Sequence, residues 1–254
     1  YLFTAAPPGN ARRFSAELVG ESVRRFLLTL WNIYSFFVTY ANIDGFNPIA
    51  IPQVDPVSDL DRWVRSDLEL LVVEVTRLME GYNPTDAGRR IEQFVDVLSN
   101  WYVRRSRRRF WKSGNDQDKL SAYSTLYTCL TTLAKLIAPL TPFVAEELYS
   151  NLVHSVDPDA PESVHLADFP TPNENLIDQG LSSAMRLAMR VASMGRAARS
   201  KAGIRVRQPL AKVLVKTRSI EEMEALNRVA LHVIDELNVK ELHPLVDEND
   251  AVEI

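Results

Sequence analysis

One cysteine, Cys129, occurs among 254 residues, which excludes an internal disulfide framework and a zinc site built on several thiolates. Cys129 sits within an apolar helical pattern, so it is expected to be a small core residue of a protein from a reducing, cytoplasmic compartment. Glycine is scarce, nine in all, and none forms a phosphate-cradling loop. The four histidines, His154, His165, His232 and His243, lack metal-ligand spacing, and no serine or cysteine occupies a nucleophile-elbow context. The adjacent pairs Glu146-Glu147 and Glu221-Glu222 diverge on a helix and read as solvated. A catalytic site therefore has little to be built from. No signal peptide is visible, and no apolar run is expected to reach the roughly 18 residues of a membrane span. The chain opens on Tyr1 without a Met and reads as an excised domain.

What is present is a 46% hydrophobic chain, long enough for one large domain or two of ordinary size. Its net charge of −4 argues against a uniformly basic binder, but the charge is segregated. Six cations fall in Trp101–Lys112 and ten in Leu181–Arg218, with no acid in either stretch. Between them, His154–Gly180 carries six acids and no Lys or Arg.

Hydrophobic periodicity predicts mainly helix. Ser15 caps a helix to about Asn42, with a stripe of Val19, Val23, Phe26, Leu27, Leu30, Ile33, Tyr34, Phe37 and Val38. After a loop bearing Pro48, Pro52 and Pro56, Ser58 caps a second helix with Asp61 at its third position. That helix turns Trp63, Leu68, Leu71, Val72, Val75 and Leu78 inward. Asn83-Pro84 starts a third helix, with the stripe Ile91, Phe94, Val95, Leu98, Trp101 and Tyr102, which Gly114-Asn115-Asp116 ends. A fourth runs from about Asp118 to Ala138, and Thr141-Pro142 starts a short one through Val153. The expected fold is mainly α: an antiparallel helix bundle with a small C-terminal α/β appendage. Residues 1–175 form the bundle with an acidic surface linker from His154. Residues 176–254 form a long helix to Lys201 plus a small subdomain, with strands at Leu210–Lys216 and Val239–His243 flanking a helix over Ile220–Glu236.

The run Trp101–Lys112 holds five arginines, one lysine and four aromatics in twelve positions. Cations suit phosphates, and rings suit unpaired bases. On a straight helical wheel with Trp101 at zero, the apolar stripe centres near about 60°, and Arg105 and Arg109 continue it at about 40° and 80°. Arg104, Arg108 and Trp111 flank it. Either Arg105 and Arg109 meet buried carboxylates, or the helix end projects as an exposed basic-aromatic surface. The cost of unpaired buried arginine favours projection. Trp101 and Tyr102 read as core residues, and Trp111 as the stacking candidate. In the second block Arg186, Arg190, Ser193, Ala197 and Lys201 share a helix face, followed by Arg205 and Arg207. A solvated face and phosphate contact both fit it, and Arg12 and Arg13 are equally open.

Several segments, in order, carry a resemblance. They are Asn10-Ala-Arg-Arg-Phe14, Val23–Asn32, Leu60-Asp-Arg-Trp63, Asn100–Lys112, Ile137-Ala-Pro-Leu-Thr-Pro-Phe-Val-Ala-Glu-Glu-Leu-Tyr149, Ser163–Asp168 and Gly203-Ile-Arg-Val-Arg-Gln-Pro-Leu210. Together they closely resemble the C-terminal part of isoleucyl-tRNA synthetases, in the form shared by eukaryotes and some bacteria. The Trp101 and Pro139 blocks are similar to the class I synthetase anticodon-binding domain.

The resemblance implies a bundle that packs on the anticodon stem-loop of isoleucine tRNA and adjoins the catalytic domain of the same chain, with no membrane role. The two cationic blocks supply the residues expected to bind tRNA: Arg104, Arg105, Arg107, Arg108, Arg109, Trp111, Lys112, Arg186, Arg190, Lys201, Arg205 and Arg207. Within that set, Arg104, Arg108 and Lys112 would hold loop phosphates while Trp111 stacks a base. The family's His-Ile-Gly-His and Lys-Met-Ser-Lys-Ser signatures and its editing domain are missing here. Catalytic residues and cofactors are thus expected to be none in this chain, with ATP and Mg belonging to the full-length enzyme. Two rivals stay open: the same domain of a valine, leucine or methionine ligase, and a helical protein-interaction scaffold whose arginines pair with acids.

Overall fold

A computed structural model describes residues 1–50, 56–114 and 116–246; Pro52 and Asn115 lie outside the described residues. The chain divides into two compact units, Tyr1–Ile177 and Asp178–Ile254.

The first unit is an antiparallel bundle. Its helices are α1 (Ala16–Ser22), α2 (Leu28–Asp44), α3 (Asp59–Glu80), α4 (Pro84–Val97), α5 (Arg104–Phe110), α6 (Gln117–Ile137) and α7 (Pro142–Tyr149). One π-helical turn, Val23–Leu27, joins α1 to α2, a second, Leu98–Val103, joins α4 to α5, and a third, Ser150–His154, extends α7. The starts follow local chemistry. Ser58 and Asp61 form a reciprocal capping box on α3, and Asn83 accepts from Asp86 N with Pro84 in the first turn of α4. The expected inner faces of α3 and α4 are buried throughout, Trp101 and Tyr102 included. The core is centred on α6, where Tyr123, Leu126, Cys129, Leu130 and Leu133 are fully buried.

The first helix departs from expectation in two ways. Its stripe is buried only from Leu30 onward, through Ile33, Tyr34, Phe37 and Ala41, whereas Val23 is exposed and Phe26 and Leu27 are half-buried. The earlier residues Val19, Val23, Phe26 and Leu27 line an open apolar cavity with Ile91, Ile137 and Leu140, which leaves them part-exposed. Secondly, Ala16–Asp44 is helical over 29 residues with mean hydropathy 1.2 in its most apolar window, so among the described residues one helix is long and apolar enough to cross a membrane. This corrects the expectation that no such run is present. Its inner residues pack in the bundle, Phe37 against Tyr123 and Tyr127. The segment after His154 lacks regular structure up to a short 3-10 turn at Glu174–Leu176, and Glu146 pins it by accepting from Ser163 Oγ and Val164 N.

The second unit comprises α8 (Gln179–Lys201), β1 (Leu210–Thr217), α9 (Ile220–Arg228), α10 (Ala230–Leu237) and β2 (Val239–Val246). β1 and β2 pair in parallel with Leu210 opposite Val239, so the helical crossover makes a βαβ unit. The helix expected over Ile220–Glu236 is broken in two at Val229. At Gly195 an added Cβ would lie 2.5 Å from Leu237 Cδ1, so glycine there permits the close approach of α8 and α10.

Candidate nucleic-acid interface

The basic run begins in the π turn Leu98–Val103 and continues as α5. A π turn carries more residues per turn than an α-helix, and its effect is a rotation of everything after it. Ser106 and Phe110 therefore face the core, both essentially without exposure, in place of the expected Arg105 and Arg109. Arg105 and Arg109 lie at the rim of the buried stripe, and Arg104, Arg107 and Arg108 face solvent.

Arg109 corrects the projection expected from sequence. Its Nη1 and Nη2 donate to Asp61 Oδ1 and Oδ2 at 2.7 and 2.6 Å, and Nη2 also reaches the Asp118 carbonyl at 2.7 Å. Asp61 is fully buried and further accepts from Tyr102 Oη at 2.7 Å and Ser121 Oγ at 2.9 Å. Burial pushes the Asp61 carboxyl up, but the Arg109 guanidinium and these hydrogen bonds outweigh it and hold its pKa below the ordinary value. A bidentate pair with every carboxylate lone pair engaged meets the condition under which a buried ion pair is tolerated. Arg109 is thus an internal brace and leaves the set of surface residues. Arg105 lies over the Trp101 ring, 5.8 Å from its centroid.

The end of α5 is held from beneath. Lys119, fully buried, donates to the Lys112 carbonyl at 2.6 Å and pairs with Asp44 at 2.6 Å. Asp44 also accepts from Tyr123 Oη. Burial raises the Asp44 pKa, and Lys119 and Tyr123 bring it below the usual range. Lys112 itself is exposed, but its ammonium bridges Asp118 and Asp116 at 2.9 and 3.1 Å, which raises its pKa and partly neutralises it. Trp111 caps α5 with 58% of its surface exposed. Arg104, Arg107, Arg108 and Trp111 thus share one exposed helix end, cations beside an open π-face.

In the second unit Arg186, Arg190, Ser193, Ala197 and Lys201 are all exposed on α8, as are Arg205 and Arg207 beyond it. Arg190 pairs with Glu222 at 2.8 Å, while Arg186 donates to Ser183. Arg199 went unnoticed in the sequence. It is 2% exposed and donates to the carbonyls of Arg205, Gln208, Leu237 and Asn238. Asn238, in the left-handed region at φ 49°, adds donations to the Val206 and Arg207 carbonyls. The Arg205–Arg207 loop is therefore a fixed element whose carbonyls are satisfied from inside the unit. Lys119 and Asp61 were missed as well. Only Asp61 had a local signal, its capping-box position, and that signal says nothing of its second role.

A family model described as the anticodon-binding domain of tRNA ligases matches residues 61–215. The chain belongs to that family. The match starts at Asp61 and runs past Ile177 through α8 into β1. Among curated relatives, isoleucine–tRNA ligase of Dehalococcoides mccartyi is 63% identical over 242 residues, covering 95% of this chain and 24% of that protein. The Thermus thermophilus ligase for isoleucine is 47% identical over 246 residues, covering 96% and 24%. The Bacteroides fragilis counterpart is 45% identical over 244 residues, covering 95% and 21%. The resemblance to isoleucine enzymes read from the motifs accordingly stands. The chain spans about a quarter of the length of these relatives.

Proposed function

We propose that this chain binds the anticodon stem and loop of isoleucine tRNA as part of an isoleucine–tRNA ligase. The full-length enzyme, working in the cytoplasm, would attach isoleucine using ATP and Mg held by parts outside this chain. One observation carries the reading: a clamped helix end that presents Arg104, Arg107, Arg108 and a half-open indole, inside a family named for anticodon binding. An anticodon loop offers unstacked bases to rings and phosphates to cations, and this surface has both. Arg108 and Arg107 hold loop phosphates, assisted by Arg104. Lys112 contributes less, because Asp116 and Asp118 already screen it. Arg186, Lys201, Arg205 and Arg207 form a second cationic set, with Arg190 reduced by Glu222.

The test is a footprint of isoleucine tRNA with this chain at two salt concentrations, with competition by unmodified valine, leucine and methionine transcripts. Protection of the anticodon loop, weakened by salt and displaced best by the isoleucine transcript, is the expected result. Binding that ignores salt, or displacement by every transcript equally, overturns the assignment.

A further inference from the structure

Trp111 is not a free surface tryptophan. Its Nε1–H, the only polar atom of an indole, donates to Tyr40 Oη on α2 at 2.8 Å. With that hydrogen spent inside the protein, the exposed part of the indole offers carbon and π surface alone, on a residue 58% exposed. Tyr40 is itself anchored. Its ring packs on Phe36 at 4.9 Å between centroids, and Phe36 meets Phe110 edge-on at 5.1 Å. Phe110 meets Tyr123 at 4.8 Å, and Tyr123 donates to the Asp44 that pairs with Lys119. A continuous line of rings thus runs from the buried ion pair to the exposed indole. Lys119 closes the circuit by holding the carbonyl of Lys112, the residue after Trp111.

We propose that Tyr40 is a positioning residue for RNA recognition: its hydroxyl fixes the Trp111 ring as a stacking platform and withholds the indole N–H from the ligand. This rests on the RNA-binding reading and deepens it, since it makes the Trp111 contact one of stacking without edge hydrogen bonds. A base held this way is bound tolerantly, because every base has a π-face. Discrimination among anticodons then belongs to other side chains. Fixing the ring before binding removes the rotamer entropy that an unrestrained surface indole would lose.

The experiment is a double-mutant cycle on the 254-residue chain with Tyr40→Phe, Trp111→Leu and both, titrated with the unmodified anticodon stem-loop of isoleucine tRNA at two salt concentrations. Tyr40→Phe keeps the ring against Phe36, and the indole ¹⁵N–¹H resonance of Trp111 reports loss of the hydrogen bond without reference to RNA. The expected result is a roughly five-fold weakening by Tyr40→Phe with the salt slope unchanged, vanishing when Trp111 is already Leu. A Tyr40→Phe penalty that persists in the Trp111→Leu background, or no penalty despite a shifted indole resonance, overturns the role of Tyr40 and leaves the interface standing. Wild-type affinity in Trp111→Leu itself overturns the stacking contact, and the inference falls with it.

Discussion

At the scale of single residues, Asp61 is the group on which the site most depends. It caps α3, accepts from Tyr102 and Ser121, and neutralises Arg109, with none of its surface exposed. Asp61→Asn leaves a buried guanidinium short of its main counter-charge. Breaking such a pair costs about 3–5 kcal/mol, and the lower end, about 3 kcal/mol, is expected because Asp118 remains beside Arg109. Urea denaturation at pH 7 checks this. The pH dependence has a definite sign. The folded pKa of Asp61 is lowered, so on acidification the unfolded chain takes up the proton first. The stabilisation is present above the unfolded value of about 4 and is lost as pH falls through the depressed folded value. Between pH 5 and pH 3 the wild-type midpoint should fall more steeply than that of Asp61→Asn. Parallel decline in the two proteins would assign the acid sensitivity to Asp44, Asp116 and Asp178, whose pKa values are also lowered.

At the scale of elements, what was legible in the sequence was whatever chemistry within four residues decides. Ser58 with Asp61, and Asn83 with Pro84, marked their helix starts, and the apolar stripe of α3 was readable to the residue. The π turn at Leu98–Val103 left no such mark, so a straight wheel put Arg105 and Arg109 where Ser106 and Phe110 belong. Outward placement of Arg104 and Arg108 survived because it depends only on their being off the stripe. Lys119 was illegible for a different reason: its partners Asp44 and the Lys112 carbonyl come from the far end of another helix and from a turn. These two kinds of contact should separate in stability. Ser58→Ala removes one cap and is expected to cost about 1 kcal/mol. Lys119→Met leaves the part-exposed Asp44, still held by Tyr123, without its cation and is expected to cost about 3 kcal/mol, the lower end for a broken buried pair. Lys119→Met should also speed hydrogen exchange of the amides from Arg109 to Lys112, which Ser58→Ala leaves unchanged. Equal costs, with exchange unaltered in both, would remove the buried clamp from the account.

At the scale of the whole molecule, the proposed function assigns cations and rings to different steps of binding. The chain carries 33 acids against 29 cations, yet its two long cationic stretches contain no acid. A polyanion is drawn to the exposed cations of those stretches, such as Arg107 and Arg108, which favours oriented encounter. On the proposed reading, exposed cations such as Arg108 act mainly on that approach, whereas a stacked ring acts only once the base is seated. Arg108→Ala should slow association with the anticodon stem-loop and reduce the slope of log K against log salt by roughly 0.7–0.9, one phosphate's worth of released counterion. Trp111→Leu should leave association and slope unchanged and raise the dissociation rate by roughly ten-fold, within the range of base–aromatic stacking. Stopped-flow binding at two ionic strengths distinguishes the two. If both substitutions slow association alike, the indole belongs to the encounter surface, and the fixed platform built through Tyr40, Phe36 and Phe110 would serve the bundle's packing alone.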